Sequence, residues 1–255
     1  LSETIKNKGG STNVQQVAFA YVYLITIAFL YKYAHFVDTS NRTYIQNSDI
    51  KELLGYSRTT KSIDKIIKKN GVLDELGLTL STKDYPVTFE LLHSEKINNI
   101  PMREFTTIRE IDVNTYNYNT FKEIVKNRNY EIKEPLFLTE EYYGSDYGTL
   151  YSIERTHQIT IEEFLSMIFG NENCIDFLMY GYFKSKCKGY PNNMKQIALY
   201  KIISEVGMDK TTFYAHLNLL KEKGYVAVTH KDWSMTKRKK GEDGDANEYY
   251  FKGIR

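Results

Sequence analysis

Thr211, Ala215 and Asn218 recur at the spacing that puts side chains on one face of a helix. An asparagine amide can make two hydrogen bonds to adenine, and the methyl groups of threonine and alanine can touch thymine. Thr212 and Tyr214 flank that face. Lys210 precedes it, where an ammonium and a helix N-terminus can together hold a phosphate. Further on, Lys237, Arg238, Lys239 and Lys240 are adjacent cations, suited to gripping phosphates or entering a narrow, A·T-rich minor groove. In the first third of the chain, Lys61, Lys65 and Lys68 share one helical face, with Arg58 near its start and Ile63, Ile66 and Ile67 opposite.

These residues need elements to hold them. Asp209 is placed to cap a helix that runs to about Lys223 and stops at Gly224, with Phe213, Leu217 and Leu220 as its apolar anchors. A strand is expected over Tyr225–Thr229, then a polar loop from about Ser234 to Asn247, then a returning strand over Glu248–Lys252. Upstream, a helix spans about Cys174 to Cys187, and Gly189-Tyr190-Pro191 breaks the chain. Asn192 or Asn193 would cap a helix to Val206, and Gly207-Met208 makes the turn into the next. The segment from Met208 to Val226, with its ending Leu220-Lys-Glu-Lys-Gly224-Tyr225-Val226, resembles the recognition helix and first wing strand of winged-helix transcription and replication proteins. That resemblance covers residues 174–255. It implies a winged-helix domain in which residues 210–218 read the major groove and the cations of the loop form a wing tip.

The first third repeats the pattern more weakly. An apolar helix is expected over about Val14 to Phe36, then a loop over residues 38–43. Ser48 would cap a helix to Leu54, Ser57 a basic helix to about Lys69, and residues 78–91 would form a hairpin turning near Asp84 and Pro86. Between the two patterns lie short elements without a motif, among them a helix over Ile161–Phe169 capped by Thr160. The expected fold class is therefore mainly α with small β wings (α+β). It would consist of a flexible N-terminus (1–12), an N-terminal winged-helix domain (13–94), a connecting region (95–173) and a C-terminal winged-helix domain (174–255). Two winged helices on one chain resemble the arrangement of plasmid and phage replication initiators and of multidomain transcription regulators.

Composition fits that expectation. The net charge is +2, yet residues 174–255 hold 15 Lys and Arg against 9 Asp and Glu, which makes the last third basic. The two cysteines, Cys174 and Cys187, form no disulfide framework and no zinc spacing, so a reducing, cytoplasmic setting is expected. The run Val17–Tyr31 is apolar, but it is short for a bilayer span and contains three tyrosines, so it reads as a buried core helix. No phosphate-binding glycine loop occurs. His35, His93, His157, His216 and His230 form no metal-spaced pair, and no His-x-His accompanies the tyrosines as rolling-circle nucleases require. The spacing Asp243-x-Asp245-x-Asn247 starts like a calcium loop but lacks its later glycine and acid.

The expectation is thus a non-enzymatic protein without metal or cofactor. It would bind double-stranded DNA sequence-specifically, in plasmid or phage replication or its control, or in transcription. A homodimer would match a palindromic site. The competing expectation is a winged-helix adaptor that docks proteins.

Overall fold

A computed structural model describes residues 13–93, 101–114, 117–126, 131–136, 140–142, 145–147, 157–170, 172–230 and 246–254. The chain forms two compact units. One is continuous, Val22–Ser152; the other is discontinuous and joins Leu1–Tyr21 to Ile153–Arg255. The helices are accompanied by small antiparallel sheets, which agrees with the expected α+β class. Helix α1, Val14–Lys32, contributes its first turns to the discontinuous unit and the remainder to the continuous one. By length and composition α1 could cross a membrane, and half of its most apolar window is buried within the protein. The buried Thr26 hydroxyl at mid-helix donates to the Val22 carbonyl at 2.8 Å.

In the continuous unit, α1 leads through the two-residue strands β1 (Val37–Asp38) and β2 (Thr43–Tyr44) to α2 (Asn47–Leu53). Helix α2 begins two residues earlier than a Ser48 cap would place it: Gln46 is the cap residue, and the Asp49 carboxylate accepts its N–H at 2.7 Å. The basic helix expected from Ser57 is mostly turns. Only α3, Asp64–Ile67, is helical, and Asn70 and Gly71 lead into a separate α4, Val72–Glu75. Four-residue helices have little intrinsic stability. Here burial of Ile63, Ile66, Ile67, Val72 and Leu73 fixes them.

The hairpin expected over 78–91 is replaced by two longer-range pairings. Strand β3 (Thr79–Thr82) and strand β4 (Pro86–His93) do not pair with each other. Strand β4 instead pairs with β5 (Pro101–Thr107), bringing Phe89 opposite Phe105. After α5 (Tyr118–Val125), strand β6 (Ile132–Pro135) returns to pair with β3, bringing Ser81 opposite Lys133. Strands β7 (Glu140–Tyr142) and β8 (Ser145–Tyr147) form a further small ladder. Tyr31, Phe36, Tyr85, Ile108 and Ile132 make the core of this unit. A buried cation holds its strands: the Lys133 ammonium, 3% exposed, donates to the Lys68 carbonyl at 3.0 Å, to Ser81 Oγ at 2.7 Å and to Asp74 Oδ2 at 2.5 Å.

The discontinuous unit continues with α6 (Ile161–Phe169), capped by Thr160 as expected, and α7 (Cys174–Cys187), capped by Asn173. A short 3-10 turn, Pro191–Asn193, follows. Next comes a strand that periodicity missed: β9 is Met194–Ala198, and α8 starts only at Leu199 and runs to Val206. Tertiary pairing overrides local propensity here, because Gln196 and Ile197 pair with Glu248 and Asn247 and bury Ile197 and Ala198. Helix α9, Lys210–Glu222, strand β10, Val226–Thr229, and strand β11, Ala246–Phe251, complete the unit. The sheet order is β10-β11-β9, all antiparallel. Its inner residues Val226, Tyr249 and Phe251 are buried, with Phe183 of α7 stacked on Tyr249 at 5.0 Å between ring centroids.

The first turns of α1 enter this unit through a notch at Gly181. A β-carbon there would lie 2.1 Å from Tyr21 Oη and 2.8 Å from its Cζ, distances that no packed structure tolerates. Tyr21 has little room to retreat, since its hydroxyl pairs with His157 Nε2 at 2.7 Å and its ring packs on Phe177. Gly181→Ala is therefore expected to destabilise the unit by about 1–3 kcal/mol despite the better helix propensity of alanine. Tyr21→Phe, which removes the clashing oxygen, should recover part of that loss in a double-mutant cycle read by urea unfolding.

Candidate nucleic-acid interface

Helix α9 is built by its ends. At its N-terminus Asp209 accepts the Thr212 N–H at 2.9 Å and the Thr212 hydroxyl at 2.6 Å. Those bonds, the hydroxyl foremost, hold its carboxyl below the usual range. At its C-terminus Gly224 takes a left-handed φ of 75°. The Gly224 N–H then reaches Lys221 O at 3.0 Å and the Tyr225 N–H reaches Leu220 O at 2.9 Å, which closes the helix and aims the chain into β10. Phe213, Leu217 and Leu220 are buried, as their spacing demands. Thr211, Ala215 and Asn218 are exposed on the opposite side, and Glu222 extends the same stripe.

The flanking residues are already engaged in part. Thr212 is half-buried and gives its hydroxyl to Asp209. Tyr214 is half-buried, and the exposed Lys210 holds its ammonium 6.0 Å from the centre of that ring. Lys237, Arg238, Lys239 and Lys240 belong to the connection between β10 and β11 and lie outside the described residues. The four N-terminal cations are in the continuous unit. There Arg58 is bound to Asp49 at 2.5 Å and to Glu52 at 2.9 Å, Lys61 and Lys68 are exposed, and Lys65 is half-buried. The turn that replaces the expected helix removes the single face on which those four were to stand.

Three ties that sequence reasoning missed, each with at least one buried partner, fix the elements around α9. His216 Nδ1 meets Asp176 Oδ1 at 2.6 Å, and Asp176, 1% exposed, also closes the α7 cap by accepting the Asn173 N–H at 3.0 Å. Lys223, at the end of α9, binds the Gly170 carbonyl at 2.9 Å and the buried Glu172 carboxylate. Lys184 of α7, 2% exposed, is paired with Glu163 of α6. Glu163 also accepts the Tyr180 hydroxyl at 2.6 Å and the Thr160 N–H at 2.8 Å. Burial pushes the Lys184 ammonium below its usual pKa and works against the Glu163 carboxylate too, but the bonds from Lys184 and Tyr180 hold Glu163 below the carboxylate range. The patterns Thr160-x-x-Glu163 and Asn173-x-x-Asp176 announce two capping boxes. Nothing local announces that each box acid also binds a distant cation or histidine.

As chemistry, the arrangement offers an exposed helix face backed by a rigid base. Cys187, buried and with its thiol pushed up to about 11 chiefly by that burial, is a packing residue. Among the described residues, no three His, Cys, Asp or Glu side chains form a group able to hold a metal ion. No family model matches the chain, and neither does a curated protein or a solved structure.

Proposed function

We propose that the discontinuous unit is a winged-helix module that binds double-stranded DNA, with α9 as its recognition helix. The observation that carries this reading is the exposed stripe of α9 standing on a unit whose elements run α7-β9-α8-α9-β10-β11, with β11 between β9 and β10. A helix followed by a tight turn and a second, outward-facing helix, with a two-stranded ribbon behind, is the geometry that enters a major groove. The basic balance of residues 174–255 favours a polyanion. Among the described residues Lys188, Lys201, Lys210 and Lys221 are exposed without a salt bridge. The cations at Lys237–Lys240 would grip phosphates from the ribbon. In this reading α1 is a core helix and the protein acts in the cytoplasm.

The role that follows is sequence-specific binding in plasmid or phage replication or its control, or in transcription. A second winged helix in residues 13–94 is the less supported part of the proposal, because β3 and β4 find their partners beyond that segment. Dimerisation on a palindromic site is read by sedimentation at several concentrations. Binding of the whole chain to a duplex is expected to weaken steeply with salt, and Lys239→Ala should lower affinity for all duplexes alike and reduce the logarithmic salt slope by about one. Equal slopes for the variant and wild type would remove the wing from the interface.

One observation favours a protein-docking adaptor instead. Leu165 and Phe169, one turn apart on α6, are 43% and 73% exposed, an apolar pair that suits another protein better than DNA. Docking there would be insensitive to salt and lost in Phe169→Ser.

A further inference from the structure

The donors and acceptors on the α9 stripe are unevenly supplied, and this bears on which base pairs it can read. Thr211 and Ala215 present methyl groups and Thr211 a hydroxyl as well, Asn218 an NH2 donor group and a carbonyl acceptor, and Glu222 acceptors only. Of the side chains beside the stripe that could add donors, the Thr212 hydroxyl is given to Asp209 and His216 Nδ1 to Asp176, while Lys210 and Lys221 stand exposed at its edges, as point charges suited to phosphates. No arginine occurs among the described residues of this unit.

Guanine shows two acceptors, N7 and O6, to the major groove, and its usual reader is a fork of two donors. Asn218 would set its own oxygen against one of them. Adenine shows N7 as acceptor and N6 as donor, which an asparagine amide matches with both of its polar atoms. A methyl from Ala215 or Thr211 gains contact with the thymine methyl, whereas over a G·C pair it would cover polar edges and leave them unpaired. Glu222 accepts from adenine N6 or cytosine N4 and repels guanine O6.

Resting on the DNA-binding reading above, we infer that the duplex read by α9 has an A·T core, with adenine facing Asn218 and with adenine or cytosine facing Glu222. Thr212, in this arrangement, is a capping residue and not a base reader.

The test is selection of the whole chain on a random duplex pool, with wild type and Asn218→Ala side by side. The expected result is an enriched site with consecutive A·T pairs at its centre. The variant should lose preference at one of those pairs, by roughly 5- to 150-fold on the preferred site, and keep wild-type affinity for unrelated duplex. Enrichment of a G·C core, enrichment of no site by a protein that still binds duplex, or an unchanged preference in Asn218→Ala would each overturn the inference while leaving DNA binding in place. A folded wild-type chain that binds no duplex would overturn the DNA-binding reading as well.

Discussion

Glu163→Ala is expected to cost the discontinuous unit about 3–5 kcal/mol of stability, among the largest effects of any single substitution in it. The carboxylate is the counter-ion of Lys184, whose side chain is 2% exposed. It is also the acceptor for Tyr180 and the box residue of the α6 cap. Removing it leaves an ammonium buried without a partner, and that penalty, more than the lost attraction, dominates. The pair itself need not be stabilising relative to apolar side chains. Adding Lys184→Met to the variant should accordingly recover most of the loss, and a double variant as unstable as the single one would contradict the assignment. Hydrogen exchange of α7 amides is the appropriate measurement, since it reports this unit separately.

The pH dependence carries a sign. In the wild type Glu163 is held below its unfolded pKa, so its contribution is present above the ordinary carboxylate range and is lost as pH falls through the lower, folded value. In Glu163→Ala that acid limb disappears. The lone Lys184 then binds its proton more weakly folded than unfolded, so stability should climb as pH rises towards the ordinary lysine range.

Expressing residues 174–255 alone is expected to give no cooperatively folded product, although that segment contains every element of the proposed winged helix. Three of its groups would lose their partners at once: Lys184 without Glu163, Lys223 without Glu172, and the Gly181 notch without Tyr21. The first loss alone, about 3–5 kcal/mol, is a large share of the stability of a small domain, which is about 5–15 kcal/mol. Circular dichroism through a urea titration would show a broad, non-sigmoidal change for the fragment and a sharp transition for the full chain. Lys184→Met in the fragment should restore part of the cooperativity. A fragment that melts as sharply as the parent would mean that these contacts are incidental.

Local signals explain what was legible in advance. The Asp209 cap, the glycine stop at Gly224 and the spacing of Phe213, Leu217 and Leu220 each act within a few residues, so α9 and its exposed face could be read directly. Thr160 announced α6 in the same way, and α7 was expected from Cys174 to Cys187 without its Asn173 cap being read. Strand β9 was illegible because Met194–Ala198 has helix-compatible residues, and only β11, far along the chain, makes it a strand. The N-terminal basic face failed for a related reason. Ile63, Ile66 and Ile67 do turn inward, but over turns and one short helix, and Arg58 is drawn to Asp49 and Glu52 instead of standing in line with the lysines. Pairings such as Asp176 with His216 depend on two helices meeting side by side, which no spacing along one of them can encode.

The interleaving of the discontinuous unit also sets an order on its assembly during synthesis. Tyr21 finds His157 only after 136 further residues have been added. At ordinary elongation rates of 5–20 residues per second that is a wait of roughly 7–27 s. Throughout that interval the apolar first turns of α1 have no notch to enter, and β9, once made, stays unpaired until β11 leaves the ribosome. The nascent chain therefore shows a sticky helix long before it can bury it, and a holding chaperone acting on that stretch would raise the yield of folded protein without touching the finished fold.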